Sequence, residues 1–277
     1  MKIDAHQHFW IYNARDYGWI GPAMEILKRD FLPSDLAPLL ESAGFEGTVA
    51  VQARQCSEES QWLLELADQR PFVRAVVGWV DLCSPKVDEQ LTALARRPKF
   101  RGIRHIVHDE PDDRFMLRED FVRGLTCLAK YKLTYDLLLF PRHLPVACEL
   151  VKRFPNQHFV VDHLAKPLMK ARALESWAAD IRRLATFPNV FCKISGMVTE
   201  ADWQHWKPAD FIPYLDVILE CFGPRRAMVG SDWPVCTLAG NYSQVMQIPA
   251  DYLKKLSAGE QAAVWGENAK RFYGIAD

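Results

Sequence analysis

Histidines 6 and 8, in the opening MKIDAHQHFW, stand two apart directly behind a short apolar run. In an extended segment, residues of like parity share a face, so Asp4, His6 and His8 are expected on one side and Ile3, Ala5 and Gln7 on the other. Two imidazoles side by side at a strand end can hold a metal ion or polarise a carbonyl. A tag or a surface pair is the plainer source of an H-x-H, and only the rest of the chain decides between them. Two further groups of the right chemistry lie far along the sequence: His163, behind Asp162 in HFVVDH, and Asp232 in GSDWP, whose carboxylate could take a proton from water.

Groups so distant meet only if regular elements carry them to one place. Eight short runs rich in Val, Ile and aromatics read as strands: KIDAHQH (2–8), GTVAVQA (47–53), VRAVVGWVD (73–81), FRGIRHI (100–106), KLTYDLLLF (132–140), HFVVDH (158–163), VFCKISG (190–196) and RAMVGSDW (226–233). Between them, apolar residues recur every three or four positions, as in SEESQWLLELADQ (57–69), Phe121/Leu125/Leu128, the stripes within 171–186 and 208–222, and a last helix from about 258 with Ser257 and Glu260 in capping-box spacing. Eight strand–helix repeats of this length predict a single-domain, distorted (β/α)8 TIM barrel over 1–277. A doubly wound sheet would show a Gly-rich phosphate turn, and the chain has neither G-x-G-x-x-G nor a P-loop.

Active sites of such barrels collect at the strand C-terminal ends. The polar residues there are His6 and His8, Gln52 and Arg54, Asp81, Arg104, Asp162 and His163, Ser195, and Asp232. Barrel closure makes the eighth strand a neighbour of the first, which brings Asp232 to the histidine pair. His105, alternating away from Arg104, and His108, in a loop, are expected in structural roles. His143 reaches the site only if its loop folds back, and Lys166 serves equally as a substrate contact or a surface charge. The connection of about 25 residues after His8 is long enough to be a lid or a packing layer over the barrel mouth.

The bulk properties limit the partner. A formal net charge of −1 gives no pull toward nucleic acid or anionic membrane, and no window approaches the length of a spanning helix. Seven cysteines without C-x-x-C spacing fit reduced thiols in a cytoplasm, and no export or membrane route is expected. The oligomeric state is left open by the sequence.

The motifs IDAHQHFW, VDHLAKP (161–167), GSDWP (230–234) and WGENAKRFYGI (265–275), in this order, resemble the amidohydrolase superfamily. The resemblance covers essentially the whole chain and is to the amidohydrolase-related (amidohydrolase 2) lactonase branch, with sugar-acid lactonases of the L-fuconolactonase and L-rhamnonolactonase kind. Many superfamily members bind one or two divalent metals through the H-x-H pair, a lysine on the fourth strand, histidines on the fifth and sixth, and the aspartate on the eighth. Here FRGIRHI has no lysine and TYDLLLF no histidine, which argues against a binuclear site. The resemblance therefore implies either a single divalent ion, such as Zn²⁺, on His6, His8, His163 and Asp232, or catalysis by those four residues with no metal.

The implied reaction is hydrolysis of a small sugar-acid lactone, L-fucono-1,5-lactone or a related aldonolactone. Asp232 would activate water, and His6, His8 and His163 would polarise the carbonyl. Arg54 and Arg104 are candidate substrate contacts, with salt bridges in the barrel wall as the competing use. Trp19 and Trp79 are candidate stacking surfaces, with core packing as the competing use. The alternatives are a 2-pyrone-4,6-dicarboxylate-type lactonase and a metal-dependent decarboxylase of the same superfamily.

Overall fold

The computed structural model describes residues 1–276. Its strands are β1 (Ile3–Gln7), β2 (Gly47–Val51), β3 (Val73–Gly78), β4 (Phe100–Ile106), β5 (Thr134–Leu138), β6 (Phe159–Val161), β7 (Val190–Ile194) and β8 (Ala227–Val229). They lie in chain order, each parallel to the next. The helices are α1 (Pro33–Ser42), α2 (Ser57–Gln69), α3 (Val87–Leu94), α4 (Glu119–Tyr131), α5 (Leu144–Arg153), α6 (Glu175–Ala185), α7 (Met197–Glu200), α8 (Pro208–Cys221), α9 (Tyr242–Leu253), α10 (Ala258–Ala262) and α11 (Asn268–Tyr273). This is the expected TIM barrel. Among the described residues no helix is long and apolar enough to cross a membrane.

Strand parity divides the barrel interior from its coat. Ile3, Val49, Val51, Ala75, Val77, Val160, Phe191 and Met228 fill the interior, and Phe272, Tyr273 and Ile275 of the C-terminal segment pack against them. The last helix does begin at the Ser257/Glu260 capping box but is not continuous. A π-helical turn over Ala263–Glu267 interrupts it where Gly266 rests on Met1: a Cβ there would lie 2.1 Å from the Met1 carbonyl oxygen. The wider turn lets the chain pass that contact.

β1 departs from simple alternation. Its register with β2 shifts between Asp4, opposite Thr48, and Gln7, opposite Ala50, so Ala5 and His6 together span one residue of β2. This β-bulge separates Asp4 from His6, correcting the expectation that Asp4, His6 and His8 share a face. Asp4 turns toward the helical coat, where it accepts from Ser231 N (2.8 Å) and from Tyr242 Oη of α9 (3.1 Å). His6 turns inward.

Closure between β8 and β1 rests on two backbone bonds beyond the ends of regular β8, Asp232 N to His6 O (2.8 Å) and His8 N to Trp233 O (2.7 Å). A Cβ on Gly230 would lie 2.7 Å from His6 Cβ, so only glycine admits this approach. The connection after β1 serves as both packing layer and cavity wall. Trp10 and Phe31 pair through reciprocal backbone bonds of 3.0 and 2.9 Å and are buried at its base, while Trp19 and Met24 line a cavity at the barrel mouth.

Candidate active site

The barrel interior is layered. Above the apolar floor stands a polar layer of Lys193, Asp136, Asp162, His6 and Arg104, all essentially without solvent exposure. Lys193 Nζ lies 2.6 Å from Asp136 Oδ2 and 3.0 Å from Asp162 Oδ1, and Tyr273 Oη donates to Asp136 at 2.7 Å. Arg104 Nη1 donates to Asp162 Oδ2 at 3.0 Å, and its Nη2 contacts Gln52. Two cations thus face two carboxylates, the condition under which charge can be buried. Burial tends to raise Asp162, but Lys193, His6 and Arg104 hold it well below the usual carboxylate range. Asp136, lifted by burial against Lys193 and by repulsion from Asp162, sits at about 6.

The next layer is the expected cluster. His6 Nε2 and His8 Nε2 are 3.2 Å apart, and Asp232 Oδ1 lies 3.4 Å from His8 Nε2, 3.9 Å from His6 Nε2 and 3.8 Å from His163 Nε2. The hydrogen-bond partner at Nδ1 assigns the tautomer of His8. Val51 O, 2.8 Å from His8 Nδ1, accepts its proton, so His8 presents a lone pair at Nε2. His6 meets a cationic donor at each ring nitrogen, Lys193 Nζ at 3.2 Å from Nδ1 and Arg104 Nη1 at 3.3 Å from Nε2. Burial pushes the imidazoliums of His6 and His163 well down, so both rings are neutral. Burial opposes ionisation of Asp232, yet the His163 and His8 rings and the Lys166 ammonium outweigh it and hold its pKa below the usual value.

Two ring nitrogens 3.2 Å apart require a proton on one of them or a cation between them. A tetrahedral Zn²⁺ with bonds of about 2.0–2.1 Å needs ligand atoms about 3.3–3.4 Å apart, and the separations within the cluster bracket that value. His6, Asp162 and His163 form a second group of close donors. There the carboxylate is already neutralised by Lys193 and Arg104. The buried group His6, His8 and Asp232 therefore fits a divalent ion better, with His163 Nε2 bordering it at 3.8 Å from Asp232 Oδ1.

Backbone strain aims two of these groups. His163, Leu164, Ala165 and Lys166 all have φ between 50° and 59°, one left-handed turn closed by Lys166 N to His163 O at 2.7 Å, and Asp232 has φ 57°. Such geometry is costly for L-residues and persists where the surroundings fix it. Trp177 Nε1 donates to Leu164 O at 2.7 Å, and Ser195 Oγ lies 2.8 Å from His163 Nδ1. Gly196, at φ 61°, packs so close that a Cβ would stand 2.6 Å from that nitrogen.

A cavity of about 300 Å³ opens onto His8, His163, Asp232 and Arg104 and includes Trp19 in its wall. Arg54 and Trp79 stand outside the lining. Three residues past the end of β2, Arg54 is drawn to the long connection, 3.2 Å from Asp16 and over the Tyr17 ring. Trp79 directs Nε1 to His105 Nδ1 at 3.3 Å, and its backbone is held by Ser60 Oγ. His105 bonds Glu110 at 2.6 Å. His143 is engaged by Asp113 and Phe140 N, away from the cavity. His108, expected in a structural role, instead joins the lining with Asp109, and Lys166 and Glu200 lie there as well. Sequence reasoning misses Glu200, Asp136 and Lys193, which carry no motif of their own.

The amidohydrolase family model matches residues 3–275. An L-fucono-1,5-lactonase of Burkholderia multivorans is 42% identical over 288 residues, spanning 100% of this chain and 97% of that protein. An L-fucono-1,5-lactonase of Burkholderia ambifaria is 39% identical, spanning 99% and 96%. The crystal structure of an amidohydrolase from Burkholderia multivorans with bound zinc superimposes with a TM-score of 0.96 at 43% identity, covering 100% of both chains. Barrel, cluster and full-length similarity agree, and the chain belongs to the amidohydrolase family.

Proposed function

We propose that this protein hydrolyses a sugar-acid lactone, L-fucono-1,5-lactone or a close aldonolactone, to the open hydroxy acid. The observation that carries the reading is the buried Asp232 carboxylate facing three imidazoles at the floor of a cavity sized for one small ring. Full-length identity of 42% to an L-fucono-1,5-lactonase supports the choice of substrate.

Asp232, kept ionised, takes a proton from water as the water oxygen attacks the lactone carbonyl. Its contacts to the histidines all run through Oδ1, so Oδ2 remains for that proton. The tetrahedral centre then collapses with cleavage of the ring C–O bond, and the carboxylic acid of Asp232 returns the proton to the departing alkoxide. His8, with Nδ1 engaged by Val51 O, turns Nε2 toward His6 and Asp232, which suits it to hold a cation. A divalent ion such as Zn²⁺, held by His6, His8, His163 and Asp232, would polarise the carbonyl and acidify water when bound. Arg104 and Lys193 contact the two nitrogens of His6 and set its orientation.

The charge of the lining disfavours a dicarboxylate. Asp109, Glu200 and Asp232 face Arg104 and Lys166, and these two cations are already matched by Asp162 and Glu200. A pH-indicator assay over fucono-, rhamnono-, galactono- and arabinono-lactones tests the proposal; no acceleration over spontaneous opening on any of them refutes it. Asp232→Asn should keep the fold and lose about 10²–10⁴-fold in kcat.

A further inference from the structure

The catalytic groups at the cavity floor account for the carbonyl of a lactone but not for the rest of a sugar ring. A ring hydroxyl taken from water into the cavity needs a partner or it weakens binding. Away from the floor the lining offers five polar side chains: His108, Asp109, Lys166, Thr199 and Glu200. Thr199 is committed elsewhere, its Oγ1 donating to Gly196 O at 2.8 Å. Asp109, more than half exposed, faces His108 Nε2 at 3.4 Å, and His108, stacked on Phe140, keeps a buried Nδ1 without a partner.

Lys166 and Glu200 differ from these. Lys166 Nζ donates to Glu200 Oε1 at 2.9 Å, and the two side chains are 19% and 17% exposed. That bond uses one of three ammonium protons and one of two carboxylate oxygens, so the pair offers both donors and acceptors to a ligand. Both residues are indexed to His163. Lys166 ends the left-handed turn that His163 begins, and Glu200 ends α7, whose preceding residue Gly196 rests against the His163 ring. Lys170 N to Glu200 O, at 3.0 Å, ties the two loops together. An ion pair held at a fixed offset from a catalytic imidazole can measure where hydroxyls stand relative to the carbonyl. Trp203, with Nε1 bonded to Thr199 O at 2.9 Å, adds an apolar face for ring C–H groups to the same wall.

We propose that Lys166 and Glu200 are the specificity-determining pair of this site, reading the ring hydroxyls of a polyhydroxylated lactone by donating to one oxygen and accepting from its neighbour. The proposal rests on the lactonase reading above. Neither residue takes part in bond making or breaking.

The test compares kcat/KM on L-fucono-1,5-lactone and on unsubstituted δ-valerolactone, each divided by its spontaneous rate, for the parent, Glu200→Gln and Lys166→Met. Glu200→Gln should lose about tenfold to hundredfold on the hydroxylated lactone, chiefly through KM, and less than about threefold on δ-valerolactone, while Lys166→Met, whose ammonium also acts on Asp232, should lose about tenfold more on the hydroxylated lactone than on δ-valerolactone. Equal losses on both substrates would assign the pair a structural role and overturn the proposal, as would no loss on either. The parent enzyme alone gives a check independent of variant folding: it should favour the hydroxylated lactone by about hundredfold or more, and near-equal efficiency overturns the pairing. A parent that accelerates δ-valerolactone and the sugar lactones alike keeps the lactonase reading and loses this one. A parent that accelerates no lactone loses both.

Discussion

Replacing Gly196 by alanine separates positioning of His163 from ordinary backbone strain. The added Cβ would stand 2.6 Å from His163 Nδ1 and 2.7 Å from Cγ. Restoring van der Waals contact requires the ring to retreat by about 0.8 Å, and misplacement on the order of 1 Å costs about 10²-fold in rate. The same retreat stretches the 2.8 Å contact to Ser195 Oγ, which lies at the same nitrogen. The backbone, at φ 61°, adds a stability cost of about 1–2 kcal/mol for any residue with a Cβ. Gly223, at φ 65° with nothing within 4 Å of the place a Cβ would take, carries that strain without the collision. Gly223→Ala should therefore lower Tm by about 2–5 °C at unchanged kcat/KM, and Gly196→Ala should show a similar Tm loss with an activity loss of about 10²-fold. Thermal melts with the pH-indicator lactone assay read both quantities. Gly196→Ala within about threefold of the parent would refute the claim that this close approach sets His163.

Other perturbations follow from the buried charges. Burial raises the Glu59 carboxyl to about 7, against the lowering effect of bonds from Arg54 N and Ala53 N, while the unfolded value is 4.5. The folded state binds the extra proton between those values, so this contribution is complete below pH 4.5 and is lost as pH rises through 7, about 3 kcal/mol in all. Glu59→Gln should flatten the fall in Tm between pH 5 and pH 8, and an unchanged slope would disprove the assignment. Lys193→Met leaves Asp136 and Asp162 without their shared cation and should cost about 3–5 kcal/mol in urea unfolding, with part recovered in Lys193→Met/Asp136→Asn. No recovery in the double variant would place the loss outside the ion pair. Metal analysis after zinc loading should find about one ion per chain in the parent and a background level in His8→Ala, with Asp162→Asn still binding; equal binding in parent and His8→Ala would exclude the outer cluster as the metal position.

Strands, helices and barrel closure were legible because they depend on repeated signals: eight β-rich runs, the helical stripes between them and the Ser257/Glu260 cap. His6, His8, His163 and Asp232 were legible for a related reason, since strand ends in a barrel converge. The bulge in β1 was not. Alternation assumes one residue opposite one residue, and the extra residue that frees His6 from the parity of Asp4 has no mark in IDAHQ. Lys193 and Asp136 did leave a signal, a single charge in the middle of each of the runs VFCKI and TYDLL, because an ionisable group on a buried strand face requires a partner. Arg54 and Trp79 illustrate the opposite limit: beyond the last ladder residue, parity no longer says where a side chain points.

The location of the strained backbone shows that this end of the barrel was shaped by something other than stability. Among the described residues, seven other than glycine have positive φ, and five of them are His163, Leu164, Ala165, Lys166 and Asp232. Of the two remaining, Lys132 is a helix C-cap, a place where this conformation ordinarily occurs. A stretch selected only for stability would be expected to carry glycine or asparagine at some of the four consecutive left-handed positions, yet the sequence there is HLAK. Leu164 and Ala165 are fully buried, and the bond from Trp177 pins Leu164 O, so packing offsets the local cost. What that packing secures is the offset of three residues between the His163 imidazole at the cavity floor and the Lys166 ammonium on its wall. A right-handed turn would send the two side chains to different places, and the histidine cluster and the ion pair with Glu200 would no longer line one cavity.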